Sequence, residues 1–348
     1  EELVNHQRDR RRELLRRYAG IDEDPEAIRE LPVLADEPAA APVPAAATPE
    51  PEAAPSGQPE PPLADAAAPG AFRAIELAPG ISLDLAFIPS GAVSPGSDAG
   101  HSPGRPVHGA AIPRGFWMSR HEITNEQFAV FEPTHDSRLE HGDFLQFSVE
   151  ERGYPLNGPQ QPVVRVSWEE AMRFCEWLAR RTGEAVTLPS EAEWEHACRA
   201  GAPTPMWYGD AGADFAAFAN LADARFSQID TFAPWDLPSG ALYPYRPAIH
   251  DVDDGFRVSA PAGSFEPNPW GLFDMHGNVA EWTRSAWRAG PGVAAGNGRD
   301  ASDSLEKRVV RGGSWYDRPA GATAASRYAY HPWQKVYDTG FRVIVCPP

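Results

Sequence analysis

The sequence predicts an α+β domain in which a small twisted antiparallel sheet and two main helices are joined by extensive loops. Two Ser-x-x-Glu capping boxes, at Ser167 and Ser190, mark the starts of the helices. Short alternating segments such as Ile81–Ile88 indicate strands. All eleven tryptophans lie between Trp117 and Trp333, so the core-forming residues are confined to the C-terminal part of the chain.

Each regular element is predicted from its own pattern. Three segments are predicted as strands: Ile81–Ile88, Phe116–Ser119 and Val163–Val166. A short helix is predicted over Glu126–Phe131, with Thr124 or Asn125 as its N-cap. The two main helices are predicted over Trp168–Arg181 and Glu191–Ala200. The first of them carries an apolar stripe at helical spacing, formed by Ala171, Phe174, Cys175 and Leu178.

The first 71 residues differ in composition from the rest. Residues 1–35 include six arginines between Arg8 and Arg17 and are predicted as a basic helical segment. Such a segment could bind membranes or nucleic acid, although a solvated basic face is the commoner occurrence. Residues 36–71 form a Pro/Ala-rich linker, in which Asp36–Gly70 holds twelve alanines, ten prolines and no basic residue. We therefore expect a disordered spacer, an upstream domain or tether, and one folded domain over 72–348.

Charge and hydropathy exclude several classes of partner. The net charge of −18 makes nucleic acid and anionic membrane poor partners. No apolar run approaches 18 residues, so no transmembrane segment is predicted. The chain begins at Glu1, as in a mature or excised fragment, and three cysteines are too few for a disulfide scaffold. The spacer favours an extracytoplasmic location over a cytoplasmic one.

The segment Pro269–Thr283 predicts a buried loop. It is rich in apolar residues but follows neither a helical period nor a clean alternation. Its backbone carbonyls then need partners other than a strand ladder. Asp274 and Glu281 could be joined by a hard, oxygen-ligated cation such as Ca²⁺. The alternative is that both carboxylates cap turns and reach solvent.

Four separated motifs resemble those of the sulfatase-modifying-factor family, which contains the formylglycine-generating enzyme. They are Pro269–Thr283, Trp194 with its neighbours, Arg311–Trp315 and Gly340–Arg342, and they occur in the family's order. The resemblance runs from about Ile88 to Val345. It implies the formylglycine-generating-enzyme-type variant of the C-type lectin fold.

The resemblance also implies two structural calcium sites. The first would use Asn220, the carbonyl of Leu221, Asp254 and the carbonyl of Phe256. The second would use Asp274, the carbonyls of Gly277 and Val279, and Glu281. The donors in both sets are oxygen atoms, as calcium requires.

The thiols that the family uses to bind copper(I) are missing. Asp317 stands at the first thiol position and Ala322 at the second, and no cysteine lies between Cys198 and Cys346. Copper(I) needs soft thiolate ligands. Copper is therefore not expected, and the oxidase mechanism known for the family cannot operate here.

The remaining cysteines match structural positions of the family. The resemblance implies a disulfide between Cys175 and a residue near Cys346, although Cys346 is displaced by three residues from the matching position. Cys198 would lack its partner and is expected as a buried free thiol. Each cysteine could equally be a small core residue.

The C-terminal loops have the composition of a binding surface. Exposed Tyr, Trp and Arg side chains on loops are typical of recognition sites. The candidate binding residues are Trp315, Tyr316, Asp317, Arg318, Tyr328, Tyr330, His331 and Trp333. The alternative is that individual aromatic residues among them belong to the core.

Two functions of different class fit the sequence. The first is a non-catalytic, calcium-stabilised recognition or accessory module that binds a protein or small ligand through its C-terminal loops. The second is an oxidoreductase, of formylglycine-generating or other metal-dependent type, with a non-standard active site. The missing thiols favour the first.

Overall fold

The computed structural model describes residues 67–93, 110–140, 154–228, 248–287 and 306–347. The helices within these ranges are α1 (Asn125–Ala129), α2 (Trp168–Thr182) and α3 (Glu191–Arg199), with 3-10 turns at Phe226–Gln228 and Pro319–Gly321. The strands are β1 (Phe72–Ala78), β2 (Ile81–Ile88), β3 (Gly91–Ala92), β4 (Ala111–Ile112), β5 (Phe116–Ser119), β6 (Leu139–Glu140), β7 (Tyr154–Pro155), β8 (Ala185–Thr187), β9 (Ala280–Ala286), β10 (Arg308–Arg311), β11 (Tyr328–Tyr330), β12 (Thr339–Gly340) and β13 (Ile344–Cys346).

The antiparallel sheet that the sequence predicts is present as two main sheets, and the described residues also form two two-stranded sheets, β3-β4 and β6-β7. The larger has the strand order β1-β2-β5-β13-β8 and is antiparallel throughout. The smaller has the order β11-β10-β9-β12, and its β9–β12 pair is parallel. The described residues thus form an α+β fold of short strands, few helices and long loops, as predicted.

Local capping chemistry fixes the helix starts. Ser167 and Ser190 each accept a hydrogen bond from the N3 backbone N–H, and the carboxylate of the N3 glutamate accepts one from the backbone N–H of the cap residue. Thr124 caps α1 in the same way, with Gln127 in the place of the glutamate. The predicted apolar stripe of α2 is fully buried. These helix predictions are confirmed to within two residues at most ends.

Helix α2 packs against both sheets. Its buried stripe contacts a cluster that includes Leu85 of β2, Trp282 of β9, Val310 of β10 and Val345 of β13. Phe174 lies 5.5 Å from Phe341 in an edge-to-face contact. The segment around Phe341 therefore enters the core between the helix and the sheets.

Two local predictions were wrong. Val163–Val166 is not a strand, because Arg165 adopts a φ of 55° and its neighbours bond in different directions. The Val163 N–H donates to Ile123 O and the Arg165 N–H to Val336 O. In addition, the predicted buried loop Pro269–Thr283 ends as a strand, since its last four residues open β9.

All three cysteines are free, so the implied disulfide at Cys175 is absent. Cys175 is buried on α2, while Cys346 lies half-buried at the end of β13, paired with Ala185 of β8. Val343, which directly follows the Gly340–Arg342 motif, packs in the same cluster as Cys175. Cys175 therefore lies in an apolar cluster and not in a disulfide. Cys198 is buried and free, as predicted.

The basic segment 1–35 and most of the linker 36–71 lie outside the described residues. Strand β1 begins at Phe72, where the folded domain is predicted to start. No helix in the described part of the chain is long and apolar enough to span a membrane.

Candidate cation loops and the C-terminal loop surface

The loop Pro269–Val279 turns through four left-handed residues. Gly271, Asp274, Gly277 and Asn278 have φ values of 80°, 57°, 79° and 54°. Glycine, asparagine and aspartate tolerate this region best. A Cβ at Gly277 would overlap the carbonyl of Asn220, so glycine is required where the two loops touch. The glycine, asparagine and aspartate residues that interrupt the periodicity of this segment are therefore the ones that its left-handed backbone requires.

Asn278 joins the two predicted calcium loops. Its Oδ1 accepts from Asn220 Nδ2 at 3.3 Å and from the Ala260 N–H at 2.9 Å. Its Nδ2 donates to Glu122 Oε2 at 3.1 Å. The Asn278 N–H donates to Asn220 O at 2.8 Å. The two loops therefore share one buried hydrogen-bond network.

The carboxylate of Asp274 is buried and only one of its oxygens is hydrogen-bonded. Its Oδ2 accepts from the Gly263 N–H at 2.7 Å, but its Oδ1 is buried with no hydrogen-bond partner. Burial raises the pKa of Asp274 to about 6, although Arg342 and the Gly263 N–H oppose this. A buried carboxylate oxygen without a donor is an unusual feature, and a bound cation would satisfy it.

Glu281, the other predicted carboxylate of that site, is held by protein groups. Arg342 donates to Glu281 Oε1 and Oε2 over 2.7–2.9 Å. Trp194 Nε1 donates to Oε2 at 2.7 Å. The arginine neutralises this carboxylate, so Glu281 is not left as an uncompensated anion.

Glu122 is a buried carboxylate beside this site that the sequence did not single out. Its Oε1 accepts from the Val279 N–H and its Oε2 from Asn278 Nδ2, both at 3.1 Å. The pKa of Glu122 is raised well above its ordinary value, first by burial and then by Asp274 and Glu281. In the sequence, Glu122 is marked only by its position between a predicted strand and the Thr124 cap, which does not indicate a buried carboxylate.

The first predicted calcium loop is closed by backbone donors. Asp254 Oδ2 accepts from the Leu221 N–H at 3.0 Å, and Oδ1 accepts from the Phe256 N–H at 2.8 Å. A second buried carboxylate, Asp223, accepts from the Asp254 N–H at 2.6 Å. Burial and the charge of Asp223 raise the pKa of Asp254 to about 8. Sequence reasoning missed Asp223, which has no distinguishing pattern around it.

Side chains alone do not build a metal centre in the described ranges. No group of three or more His, Cys, Asp or Glu residues there could hold a metal ion together. A cation at either loop would thus depend on backbone carbonyl and amide oxygens, which suit Ca²⁺ and do not suit copper.

Asp317 and Ala322, at the two missing thiol positions, are structural in their contacts. Asp317 Oδ2 accepts from the Ser314 N–H at 3.0 Å, and Oδ1 accepts from the Tyr328 hydroxyl at 3.0 Å. Ala322 is fully buried and would contact any Cβ placed at Gly313 at 2.7 Å. Its carbonyl accepts from His276 Nδ1 at 2.7 Å.

Ser314 connects Asp317 to a second acid. The Ser314 hydroxyl lies 3.2 Å from Asp317 Oδ2 and 2.9 Å from Asp338 Oδ2, and it can donate to one of them at a time. Burial, followed by the charge of Asp317, raises the pKa of Asp338 to about 6. Neither acid forms an ion pair with a Lys or Arg of the described residues.

Cys198 does not replace the missing thiols. Its Sγ lies 3.5 Å from His276 Nε2, but that nitrogen already accepts from the Trp207 N–H at 3.1 Å. With Nδ1 donating to Ala322, the imidazole is held neutral. Burial raises the pKa of Cys198, so the thiol stays protonated and unreactive.

The candidate binding residues divide between core and surface. Trp315 is only 1% exposed and packs with Phe226 and Val279, so it is a core residue and not part of the exposed surface. Tyr316 and Trp333 are 37% and 58% exposed. Arg318 is exposed, and the remaining members are half-buried: Asp317, Tyr328, Tyr330 and His331. We call this set without Trp315 the C-terminal loop surface.

Trp333 is the most exposed aromatic residue of that surface. Its ring stacks on His331 at 5.6 Å with the planes 8° apart. Tyr316 packs edge-on against Tyr337 at 6.0 Å. Both exposed rings therefore have neighbours that restrict their orientation before any ligand binds.

Comparison with known proteins assigns the family. The sulfatase-modifying factor enzyme 1-like domain matches residues 81–346, which is most of the chain. The chain belongs to this family. Within the sulfatase-modifying-factor family, the formylglycine-generating enzyme of Bos taurus is 30% identical over 162 residues. That match covers 46% of this chain and 36% of the bovine protein.

A relative without activity is equally similar. The inactive C-alpha-formylglycine-generating enzyme 2 of Mus musculus is 32% identical over 188 residues, covering 52% of this chain and 48% of the mouse protein. The chain therefore spans less than half the length of these two members of the sulfatase-modifying-factor family.

A solved structure covers more of the chain. PvdO from Pseudomonas aeruginosa superimposes with a TM-score of 0.61 and 25% identity, over 81% of this chain and all of that one. The fold is thus the formylglycine-generating-enzyme-type variant of the C-type lectin fold, as the motifs implied.

Proposed function

We propose that this protein is a non-catalytic recognition module of the sulfatase-modifying-factor family. The observation that carries the proposal is the pair Asp317 and Ala322 at the positions of the copper-binding thiols. An aspartate is a hard ligand that holds copper(I) poorly, and alanine offers no ligand. Both carboxylate oxygens of Asp317 also already accept hydrogen bonds, from the Ser314 N–H and the Tyr328 hydroxyl. The similarity to an inactive relative agrees with this proposal.

The C-terminal loop surface is the proposed binding face for a protein or small ligand. Exposed, orientationally restricted aromatic side chains lose little entropy on binding and are enriched in binding hot spots. Trp333 and Tyr316 have both properties. An extracytoplasmic location and an upstream domain or tether complete the proposal, on the basis of the Pro/Ala-rich linker.

The binding test compares two exposed aromatic residues. Immobilised wild-type protein, Trp333→Ala and Phe72→Ala are each used to capture partners, and a captured partner is then purified and titrated. Phe72 is 54% exposed and lies on β1, so it is the matched control. We expect Trp333→Ala to weaken binding at least tenfold and Phe72→Ala to leave it unchanged. Equal binding by all three proteins would contradict the proposed surface.

Calcium is the proposed structural cofactor. The unpartnered Asp274 Oδ1 supports an ion at the Asp274 loop, with the carbonyls of Gly277 and Val279 as further ligands. The buried acids Asp254 and Asp223 support an ion at the Asn220–Leu221 loop. In both loops a divalent cation would offset buried negative charge.

A chelator experiment tests the calcium proposal. An ion that binds only the folded protein stabilises it by mass action. We expect EDTA to lower the melting temperature and added CaCl₂ to restore it, whereas MgCl₂ should restore it less because of its stricter octahedral geometry. An identical melting temperature with and without calcium would contradict both sites.

A further inference from the structure

Glu122 is placed to control the loop that carries the proposed calcium ligands. Its carboxylate is fully buried, and both of its oxygens accept hydrogen bonds from that loop. The donors are the Val279 N–H and Asn278 Nδ2, which lie in sequence between the carbonyls of Gly277 and Val279. The Glu122 backbone is fixed in turn, because the next residue, Ile123, donates its N–H to Phe341 O at 2.9 Å.

Three buried carboxylates lie near a single buried arginine at this point. Three carboxylates, Glu122, Asp274 and Glu281, are buried close enough to perturb one another. Arg342 pairs with Glu281. Its guanidinium also donates hydrogen bonds to the carbonyls of Ser119, Arg120 and Phe273. Glu122 and Asp274 are thereby left without an ion-pair partner among the described residues.

Two further basic residues lie near but are directed elsewhere. Arg120 stacks over the rings of Phe72 and Phe273 and donates to Gly271 O. His121 stacks on Phe273, and burial together with Arg342 lowers its pKa to about 4, which keeps it neutral. Neither neutralises the two carboxylates. A divalent cation bound beside them would offset the cost of burying these carboxylates.

An independent feature points to a ligand at the same place. Asp274 Oδ1 is buried without a hydrogen-bond partner, while Oδ2 is held by the Gly263 N–H. Protein groups thus orient the carboxylate and leave one oxygen available. The left-handed turn at Gly277 and Asn278 sets the direction of the neighbouring carbonyls.

We infer that Glu122 is a positioning residue of a divalent-cation site at Asp274. This inference rests on the calcium proposal above. Glu122 acts through the backbone of Val279 and the side chain of Asn278, and not as a ligand. A hard cation of the calcium class fits, because every donor offered is oxygen.

The test measures Ca²⁺ binding to chelator-treated protein by calorimetric titration with CaCl₂. Asp274→Asn identifies the binding step that belongs to this loop. We expect Glu122→Gln, which keeps the side-chain shape but replaces one of the two acceptor oxygens with an NH₂ donor, to weaken that same step about tenfold or more. Glu195→Gln is the matched control, since Glu195 is equally buried but paired with Arg199 and Arg311. It should lower stability and leave calcium affinity unchanged.

A second readout separates positioning from folding. The calcium-induced rise in melting temperature should shrink in Glu122→Gln and stay unchanged in Glu195→Gln. If Glu122→Gln does not fold, Glu122→Asp, which keeps both acceptor oxygens on a shorter side chain, should show an intermediate affinity. Wild-type calcium affinity in the folded Glu122 variants would overturn the role of Glu122 and leave the calcium site standing. If the wild-type protein shows no calcium-binding step that Asp274→Asn removes, both the role of Glu122 and the calcium site at Asp274 are wrong. That result would leave the proposal of ligand binding by the C-terminal loop surface unaffected.

Discussion

The Tyr328 hydroxyl donates to Asp317 Oδ1 at 3.0 Å and ties strand β11 to the loop that follows Ser314. The same carboxylate accepts from the Ser314 backbone N–H on its other oxygen. A catalytic thiol at this position would have to be accessible to a metal and a substrate. The aspartate instead closes the loop on itself, which is the role of a structural residue.

Removal of the Asp317 carboxylate should destabilise the protein. Asp317→Ala leaves the Ser314 N–H without its acceptor and the Tyr328 hydroxyl with only the Gly321 carbonyl at 3.1 Å. We expect a loss of about 1–3 kcal/mol in the free energy of unfolding. Tyr328→Phe removes one of these bonds and should cost about 1 kcal/mol or less. Urea denaturation measures both. If Asp317→Ala is as stable as the wild type, the structural role of Asp317 is wrong.

The two tryptophans of the C-terminal loops should respond oppositely to truncation. Trp315 is buried among Phe226, Tyr316 and Tyr337, so Trp315→Ala should cost about 3–5 kcal/mol of unfolding free energy. Trp333 is 58% exposed, so Trp333→Ala should change stability by about 0.5 kcal/mol or less. Thermal melts of both variants check this. Comparable losses would mean that Trp333 packs in the core.

Asp338 should make stability fall with rising pH. Burial, with the charge of Asp317, raises its pKa from 3.8 to about 6, so the folded protein keeps a proton that the unfolded chain releases. The stability from this group is present below about pH 4 and is lost by about pH 7. Asp338→Asn cannot titrate. The stability of the wild type relative to this variant should therefore drop by roughly 2–3 kcal/mol from pH 4 to pH 7.5.

Wild type and Asp338→Asn are measured at each pH. The difference between their free energies of unfolding then excludes the contributions of other titrating groups, such as Asp254 and Asp274. Guanidinium denaturation in a constant concentration of EDTA also removes any effect of bound calcium. A difference between wild type and variant that does not change with pH would show that Asp338 has an ordinary pKa.

Features set by neighbours in sequence were predictable. Ser167 and Ser190 cap their helices through residues only three positions away, so the sequence contained the whole interaction. The alternation of Ile81–Ile88 likewise predicted β2 to the residue. Val163–Val166 failed as a strand because the φ of 55° at Arg165 interrupts its extended backbone, which the apolar pattern of the segment does not reveal.

The same distinction holds at the site. The motif resemblance identified Asp274 and Glu281, but the bond from Arg342 to Glu281 joins residues 61 positions apart and was not foreseen. Glu122 reaches Asn278 across 156 positions. Burial of Trp315 depends on contacts from Phe226 and Tyr337, and composition alone could not separate it from the exposed Trp333.

The most direct test of the central claim is an assay for oxidation of a substrate cysteine. The purified protein is loaded with copper and incubated with oxygen and a sulfatase-type peptide that contains cysteine, and the aldehyde is sought by mass spectrometry. An active formylglycine-generating enzyme serves as the positive control under the same conditions. We predict that the peptide stays unmodified, because Asp317 and Ala322 provide no thiolate for copper(I). Turnover of the peptide to the aldehyde would contradict the assignment of this protein as a non-catalytic module.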